Sequence, residues 1–442
     1  MAFAEDCYRF RVYLKDKGNA GYRVEEPEAY LSPRAIERRA KQGQPITISD
    51  LPISTSYLDT LASTGAKPLL QSKWMATVVV TDTDSLAIDR LKALSIVDSV
   101  KCVWKGNAAE LPAGNEEEGR FLTDDKPIKN KYGFAEEQIS MLNGIRLHEA
   151  GFRGKGMQVA VIDAGFMHVD RISAFDSLKL LGTHNVVFPG QSVFVGDDHG
   201  TKVLSCMAAN APGRMVGTAP EAAYWLIKSE DSRSEYPIEE DYWTAAVEFA
   251  DSAGVDVITS SLGYFVFDEE LIGYGTQALD GRTSLISRTA RLVAEKGILL
   301  FCSAGNEGGS KWEKITFPSD APDILTVGAI TSEKKKSNFS STGFTTDYRV
   351  KPDVVALGTG CSVIDPSGCV RYANGTSFST PILAGLGICL WQALPELTNK
   401  EMITLIQGTS NQHKQPDAEL GYGIPDMYKA YKTAQKYGAQ RK

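Results

Sequence analysis

Three short segments carry residues that can act together on a carbonyl. Ile162-Asp163-Ala164-Gly165 puts a carboxylate just past an apolar run. Asp198-His199-Gly200-Thr201 puts an imidazole before one helix-like stretch, and Asn374-Gly375-Thr376-Ser377-Phe378-Ser379-Thr380-Pro381 puts a hydroxyl before another. A serine hydroxyl is a weak nucleophile until a neighbouring base takes its proton. Histidine suits that task because its pKa lies near working pH. A buried carboxylate then fixes the imidazole tautomer and stabilises the imidazolium. Asp163, His199 and Ser377 are therefore the expected orienting acid, base and nucleophile of an acyl transfer. A fourth segment, Cys302-Ser303-Ala304-Gly305-Asn306-Glu307-Gly308, adds a Gly-flanked amide. Asn306 is a candidate donor to a developing oxyanion. The Ser377 backbone N–H, at a helix start, is the second.

These groups need a scaffold that gathers them from distant parts of the chain. From residue 132 onward apolar strands alternate with helices. Strands are expected at 157–162, 222–228, 255–260, 298–303 and 324–330. Helices are expected at 201–209, 239–253, 283–296, 377–393 and 400–408. Continuous apolar strands alternating with helices imply an α/β fold, a doubly wound and mostly parallel sheet covered on both faces. In such sheets functional groups collect beyond the carboxyl ends of the strands, where the following helices begin. All four segments fall at those ends. Pro381 fits too, because the first helical turn tolerates a missing N–H.

Residues 5–105 read as a separate small α+β unit. Tyr8-Arg9-Phe10-Arg11-Val12-Tyr13-Leu14 alternates as a half-buried strand does. Ser32-Pro33 opens a helix with an N-cap and a proline at the first position. Strands at 74–80 and 97–104 and a helix at 84–94 follow, with a further strand near 45–53. Residues 106–131 change character: Gly114-Asn115-Glu116-Glu117-Glu118-Gly119 is polar, acidic and without apolar period. This linker is the expected place of proteolytic maturation, between Lys105 and Tyr132. Residues 132–437 form the larger unit.

The whole chain narrows the functional classes. Its 442 residues suit two or three domains, and 43% hydrophobic content suits sizeable cores. A net charge of −8 argues against a nucleic-acid partner. No apolar run is long enough to span a membrane. Ala2-Phe3-Ala4 before Glu5 reads as the end of a removed signal peptide, so an exported protein is expected: periplasmic, cell-surface or extracellular. The seven cysteines form no C-x-x-C pair, which argues against structural zinc. Cys206, Cys302 and Cys389 sit in apolar runs and read as core. Cys361 and Cys369 flank the turn-like Asp365-Pro366-Ser367-Gly368; a disulfide across that hairpin and two free thiols both fit the spacing. His148, His168, His184 and His413 lack partner motifs and read as core or surface residues, with His168 the best placed for the site rim.

Taken together, the motifs resemble the subtilisin-like serine peptidases, the subtilase family. The matching segments are Val159-Ala160-Val161-Ile162-Asp163, His199-Gly200-Thr201, Ser260-Ser261-Leu262-Gly263, Ser303-Ala304-Gly305-Asn306 and Gly375-Thr376-Ser377, with Lys351-Pro352-Asp353-Val354 and Gly421-Tyr422-Gly423 in support. The resemblance covers about residues 132–430 and implies a serine endopeptidase acting on protein or peptide substrates. It also implies that Ser261, Leu262, Gly263, Ala304 and Gly305 line the substrate. The N-terminal unit is similar in layout to the family's pro-domains, which assist folding and inhibit until cleaved. A self-processing proenzyme follows. Tyr30-Leu31-Ser32-Pro33-Arg34 and Gly165-Phe166 resemble subtilases of Bacteroidetes-type bacteria. The chain departs from many relatives at Lys202, where a second His is common, and at Phe378, where Met is. No cofactor is required for the chemistry. Many relatives bind structural calcium, but no unambiguous calcium loop is found here; Asp197 and Asp198 read as a polar loop. Two competing readings are a catalytically silent binding protein on this scaffold and a different acyl hydrolase. The intact four-residue set disfavours the first. The lack of a Gly-x-Ser-x-Gly elbow at Ser377 disfavours the second.

Overall fold

The computed structural model describes residues 6–107, 119–122, 126–268 and 273–440. The Ala2-Phe3-Ala4 segment and residues 108–118 and 123–125 of the expected linker lie outside them.

The N-terminal unit runs β1 (Asp6–Leu14), α1 (Pro33–Lys41), α2 (Thr55–Ala62), β2 (Lys67–Ser72), β3 (Thr77–Asp82), α3 (Ala87–Lys92) and β4 (Val97–Asn107). The strands form one antiparallel sheet in the order β2-β3-β1-β4. Alternation splits its side chains between two cores. Phe10, Val12, Val78 and Val80 pack with Leu61 and Leu91 of the unit's own helices. Val79 and Val103 point the other way, into the core of the larger unit. The Ser32 hydroxyl caps α1 by accepting from the Ala35 N–H at 3.2 Å. Two expectations are corrected. Residues 45–53 hold only a 3-10 turn at Ile48–Asp50, and the fourth strand is β2. The strand expected from residue 74 begins at Thr77, and Trp74 sits in the preceding turn, buried against the larger unit.

The larger unit continues with α4 (Glu136–Ser140), α5 (Gly144–Glu149), β5 (Gln158–Asp163), β6 (Lys179–Asn185), α6 (His199–Ala208), β7 (Asn210–Ala211), β8 (Met215–Val216), β9 (Ala223–Lys228), α7 (Ile238–Ala253), β10 (Val257–Ser260), α8 (Leu285–Glu295), β11 (Leu299–Ser303), β12 (Leu325–Ile330), β13 (Val354–Leu357), β14 (Cys361–Ile364), β15 (Val370–Ala373), α9 (Thr376–Ala393), α10 (Asn399–Thr409) and α11 (Met427–Gln440). Seven strands form a parallel sheet in the order β13-β12-β11-β10-β5-β9-β6. Along β5, Val159 and Val161 join one core with α6 and α9, while Ala160 and Ile162 join the other with α7 and α8. Both faces of the sheet are thus covered, as its apolar strands require. The chain order reverses between β5 and β10, which opens a crevice at their carboxyl ends.

A disulfide between Cys361 and Cys369 is excluded by register. Cys361 pairs with Ala373 across the β14–β15 hairpin, whereas Cys369 lies opposite Asp365 at the turn. Four residues of strand separate them, about 13 Å, and a disulfide needs Cα atoms within about 7 Å. All seven cysteines are free thiols.

The N-terminal sheet lies on α7 and α8 through a charged contact. Arg11 pairs with Asp241 at 2.6 Å and donates to the Pro237 carbonyl at 2.8 Å. Arg38 and Arg39 of α1 converge on fully buried Asp251, Arg39 at 2.8 Å. Asp50 bridges Arg39 at 3.1 Å and Lys296 at 2.9 Å. The Glu248 carboxylate accepts from the Lys73 and Trp74 N–H groups, each at 3.0 Å, and from the Ser72 hydroxyl.

Candidate active site

Asp163 is the last residue of β5 and is 0% exposed. Its Oδ1 accepts from the following Ala164 N–H at 2.8 Å, which fixes the carboxylate plane. His199 is the first residue of α6 and reaches back across the crevice. His199 Nδ1 meets Asp163 Oδ1 at 2.6 Å, which puts the donor proton on Nδ1 and leaves Nε2 free as a base. The helix start is held by Asp197, whose Oδ1 accepts the His199 N–H at 2.8 Å. Burial would lower the His199 pKa. The charge and hydrogen bond of Asp163 outweigh it, with Glu230 and Asp197 adding, and the imidazole is pushed up to about 9.

Ser377 is the second residue of α9 and lines the same cleft as His199. Its hydroxyl donates to the Ser261 carbonyl at 3.4 Å, a long bond. In return, the Ser261 hydroxyl donates to the Ser377 carbonyl at 2.9 Å, tying β10's end to α9. The Phe378 ring sits 5.9 Å from the imidazole, tilted at 41°.

Asn306 follows β11. Its Oδ1 accepts from the Thr376 N–H at 2.9 Å and the Thr376 hydroxyl at 3.0 Å. With the oxygen engaged by two donors, the amide's own N–H₂ is the end left for the cleft. Thr376 was not singled out from the sequence, yet it is the residue that aims Asn306.

Ser261, Leu262 and Gly263 form one wall of the cleft and Ser303 and Gly305 another, with Thr316 between them. The close approach of these walls explains two glycines. A Cβ on Gly263 would lie 2.2 Å from Thr316 Oγ1. Gly305 has φ +104°, and its Cβ would lie 2.8 Å from Thr316 Cγ2. Ala304 lies between Ser303 and Gly305 in the chain. It is fully buried behind the wall, its N–H given to the Val327 carbonyl and its own carbonyl taken by the Thr316 N–H. With both backbone groups paired, it does not line the cleft.

The remaining histidines are elsewhere. His148 is buried between Tyr132 and the Thr218 carbonyl, and burial takes its pKa down to about 4. His168 stacks on Phe121 at 4.6 Å and faces Pro366, away from the cleft. His184 stacks on Phe249 at 4.3 Å, and His413 bonds the Ser410 carbonyl at 2.9 Å. Asp198 pairs with Lys202 at 2.7 Å while Asp197 caps α6, so these two acids do not fit a calcium loop. Among the described residues no group of three or more His, Cys, Asp or Glu side chains is arranged to hold a metal ion.

One cleft residue was missed outright. Glu230 lies two positions beyond β9 and lines the His199 side. Its signal was available, because it stands at a strand's carboxyl end as Asp163 does. Burial, then the Glu235 and Asp163 charges, push its carboxyl up to about 8, against the pull of His199.

A parallel α/β sheet with an Asp–His pair, a serine at a helix start and an oriented amide at its switch point defines a scaffold for acyl transfer. The chain belongs to the subtilase family, whose model matches residues 154–423. Residues 9–118 match the peptidase S8 propeptide domain of Bacteroidota. Among curated relatives, subtilisin E of Bacillus subtilis (strain 168) is 30% identical over 277 residues, 62% of this chain and 65% of that protein. Subtilisin of Bacillus pumilus is 30% identical over 277 residues, covering 90% of its length. The minor extracellular protease Epr of Bacillus subtilis (strain 168) is 23% identical over 390 residues, 86% of this chain and 53% of that protein. The match therefore spans just under two thirds of subtilisin E and about half of Epr. No helix among the described residues is long and apolar enough to cross a membrane.

Proposed function

We propose that this protein is a serine endopeptidase, exported and made as a self-processing proenzyme. The observation that carries the reading is the 2.6 Å Asp163–His199 bond in a cleft shared with Ser377 and Asn306. In this triad, His199 Nε2 takes the Ser377 proton as Oγ attacks the scissile carbonyl. The oxyanion forms between the Asn306 amide and the Ser377 N–H. The intermediate collapses, His199 gives the proton to the leaving amine, and the acyl-enzyme is released when His199 activates a water. In the resting protein the Ser377 hydroxyl faces the Ser261 carbonyl, and the proposed mechanism requires it to turn to the imidazole. Such looseness is common before substrate binds. The substrate lies as an extended strand along Ser261-Leu262-Gly263, adding backbone hydrogen bonds to an open edge.

The propeptide match and the placement of β4 support the proenzyme part. Near the end of β4, Trp104 packs edge-on against Tyr236 at 6.3 Å, close to the segment that carries Glu230. The test is hydrolysis of a mixed peptide library by the wild type and by Ser377→Ala. Cleavage by the wild type alone is expected. Equal cleavage by both, or none by the wild type once its linker has been trimmed, would overturn the reading; the second result would favour a silent binding protein.

A further inference from the structure

We infer that Glu230 selects substrates with a cationic side chain, Lys or Arg, at the second residue before the scissile bond. The inference deepens the peptidase reading above and rests on it.

Glu230 stands in the cleft wall beside His199, Asp197 and Ser232. Its Oε2 is shielded from solvent and has no hydrogen-bond partner. An unpaired carboxylate oxygen in such a place is expensive to keep and is compensated by a cation. Within the chain the cation that acts on it most is His199, which is neutral when it serves as the base. Lys228 Nζ is given to the Ala164 carbonyl, and Arg233 is held by Asp231 at 2.6 Å. Among the described residues Glu230 makes no ion pair. Its surroundings are acidic instead: Asp163, Asp197, Glu235 and Glu239 all act on it or share its field. The raised Glu230 pKa is the signature of this crowding, and a bound cation would relieve it.

The position follows from the sheet. In the extended pose proposed above, the side chain at the cut is assigned to the space between the Ser261-Leu262-Gly263 wall and the wall of Ser303 and Gly305, on the β10–β11 side. The floor there is Thr316, 3% exposed with its hydroxyl unpartnered, a neutral acceptor rather than a charge. Successive side chains of an extended peptide point to opposite sides. The preceding residue therefore points across β5 towards the end of β9, where Glu230 stands. Glu307 also lines the cleft, but it follows β11, separated from the end of β9 by β10 and β5. Arg has the planar fork that meets a carboxylate through two bonds, and Lys offers a point charge; both fit an acid with a free oxygen.

The test uses the mature wild type and Glu230→Gln with a peptide series varied only at the second residue before the cut. Wild type is expected to favour Lys and Arg over Gln and Leu in kcat/KM by about 10- to 100-fold, the worth of a charged hydrogen bond. In Glu230→Gln that preference should fall at least about tenfold while the Gln and Leu peptides are still cut. Thermal unfolding checks that the isosteric variant is folded. A wild type that cuts Leu and Arg peptides alike, or a Glu230→Gln profile that matches wild type, overturns the inference and leaves the peptidase reading standing. A wild type that cuts no peptide removes both.

Discussion

The contact between the N-terminal sheet and α7–α8 and the cleft at the end of the parallel sheet are built from the same residue types, and they are finished differently. In the contact nearly every buried charge is answered from within the chain. Arg11 has Asp241, Arg38 and Arg39 have Asp251, Asp50 has Arg39 and Lys296, and Glu248 accepts three donors. Among the described residues, only Arg39 Nε and Trp74 Nε1 are left over there. In the cleft, among the described residues, Asp163 Oδ2, Glu230 Oε2 and Thr316 Oγ1 have no partner, and the Ser377 hydroxyl has its long 3.4 Å bond. Buried polar groups in native proteins are normally satisfied. A cluster that is not, at a sheet's switch point, is reserved for something the chain does not contain. The contact is thus an interface completed by the protein itself, and the cleft one to be completed by substrate.

This contrast can be broken from either side. The largest expected effect outside the nucleophile is at the contact. Asp251→Ala strands Arg38 and leaves Arg39 with Asp50 alone, and loss of a buried partner costs about 3–5 kcal/mol. Urea unfolding of the full chain with the Ser377→Ala background, which prevents cleavage, should show the N-terminal unit detaching first. A cost below about 1 kcal/mol would mean these pairs are solvated and the contrast is false. In the cleft, Asn306→Ala removes one oxyanion donor. It should lower kcat by about 10²–10³-fold, the scale known for such a donor in a subtilisin, with KM little changed. An unchanged kcat would take Asn306 out of the site.

The smallest effect expected is on pH dependence. His199 must be neutral to accept a proton, and its carboxylate neighbours raise its pKa to about 9. The protonated form therefore persists above the ordinary value near 6.5. kcat/KM should rise with pH through an apparent pKa above 6.5. A limb at or below 6.5 would mean that Asp163 does not hold the imidazole in the free protein.

Much of this was legible in the sequence, for physical reasons. Asp163, His199, Asn306 and Ser377 each sit where an apolar strand ends or a helix begins, so pattern alone put them on one rim. What escaped depends on contacts between segments. The role of Thr376 rests on the Asn306 oxygen it engages, and the burial of Ala304 on backbone pairing with Val327 and Thr316. β2 carries Pro68, a residue that argues against a strand. It is an edge strand, where proline costs no ladder bond on its open side. Spacing alone left Cys361 and Cys369 open, since register, not loop length, decides which residues face each other. Glu230 was passed over although its place after β9 follows the rule that located Asp163.

The most direct measurement is intact-mass analysis of purified wild-type and Ser377→Ala protein over time, with the two also mixed. If the cleft performs the chemistry, wild type alone loses a fragment ending between residues 105 and 131, and the variant stays whole unless wild type cuts it. If Ser377→Ala processes itself at the wild-type rate, the cleft is not the catalyst and the central claim is wrong.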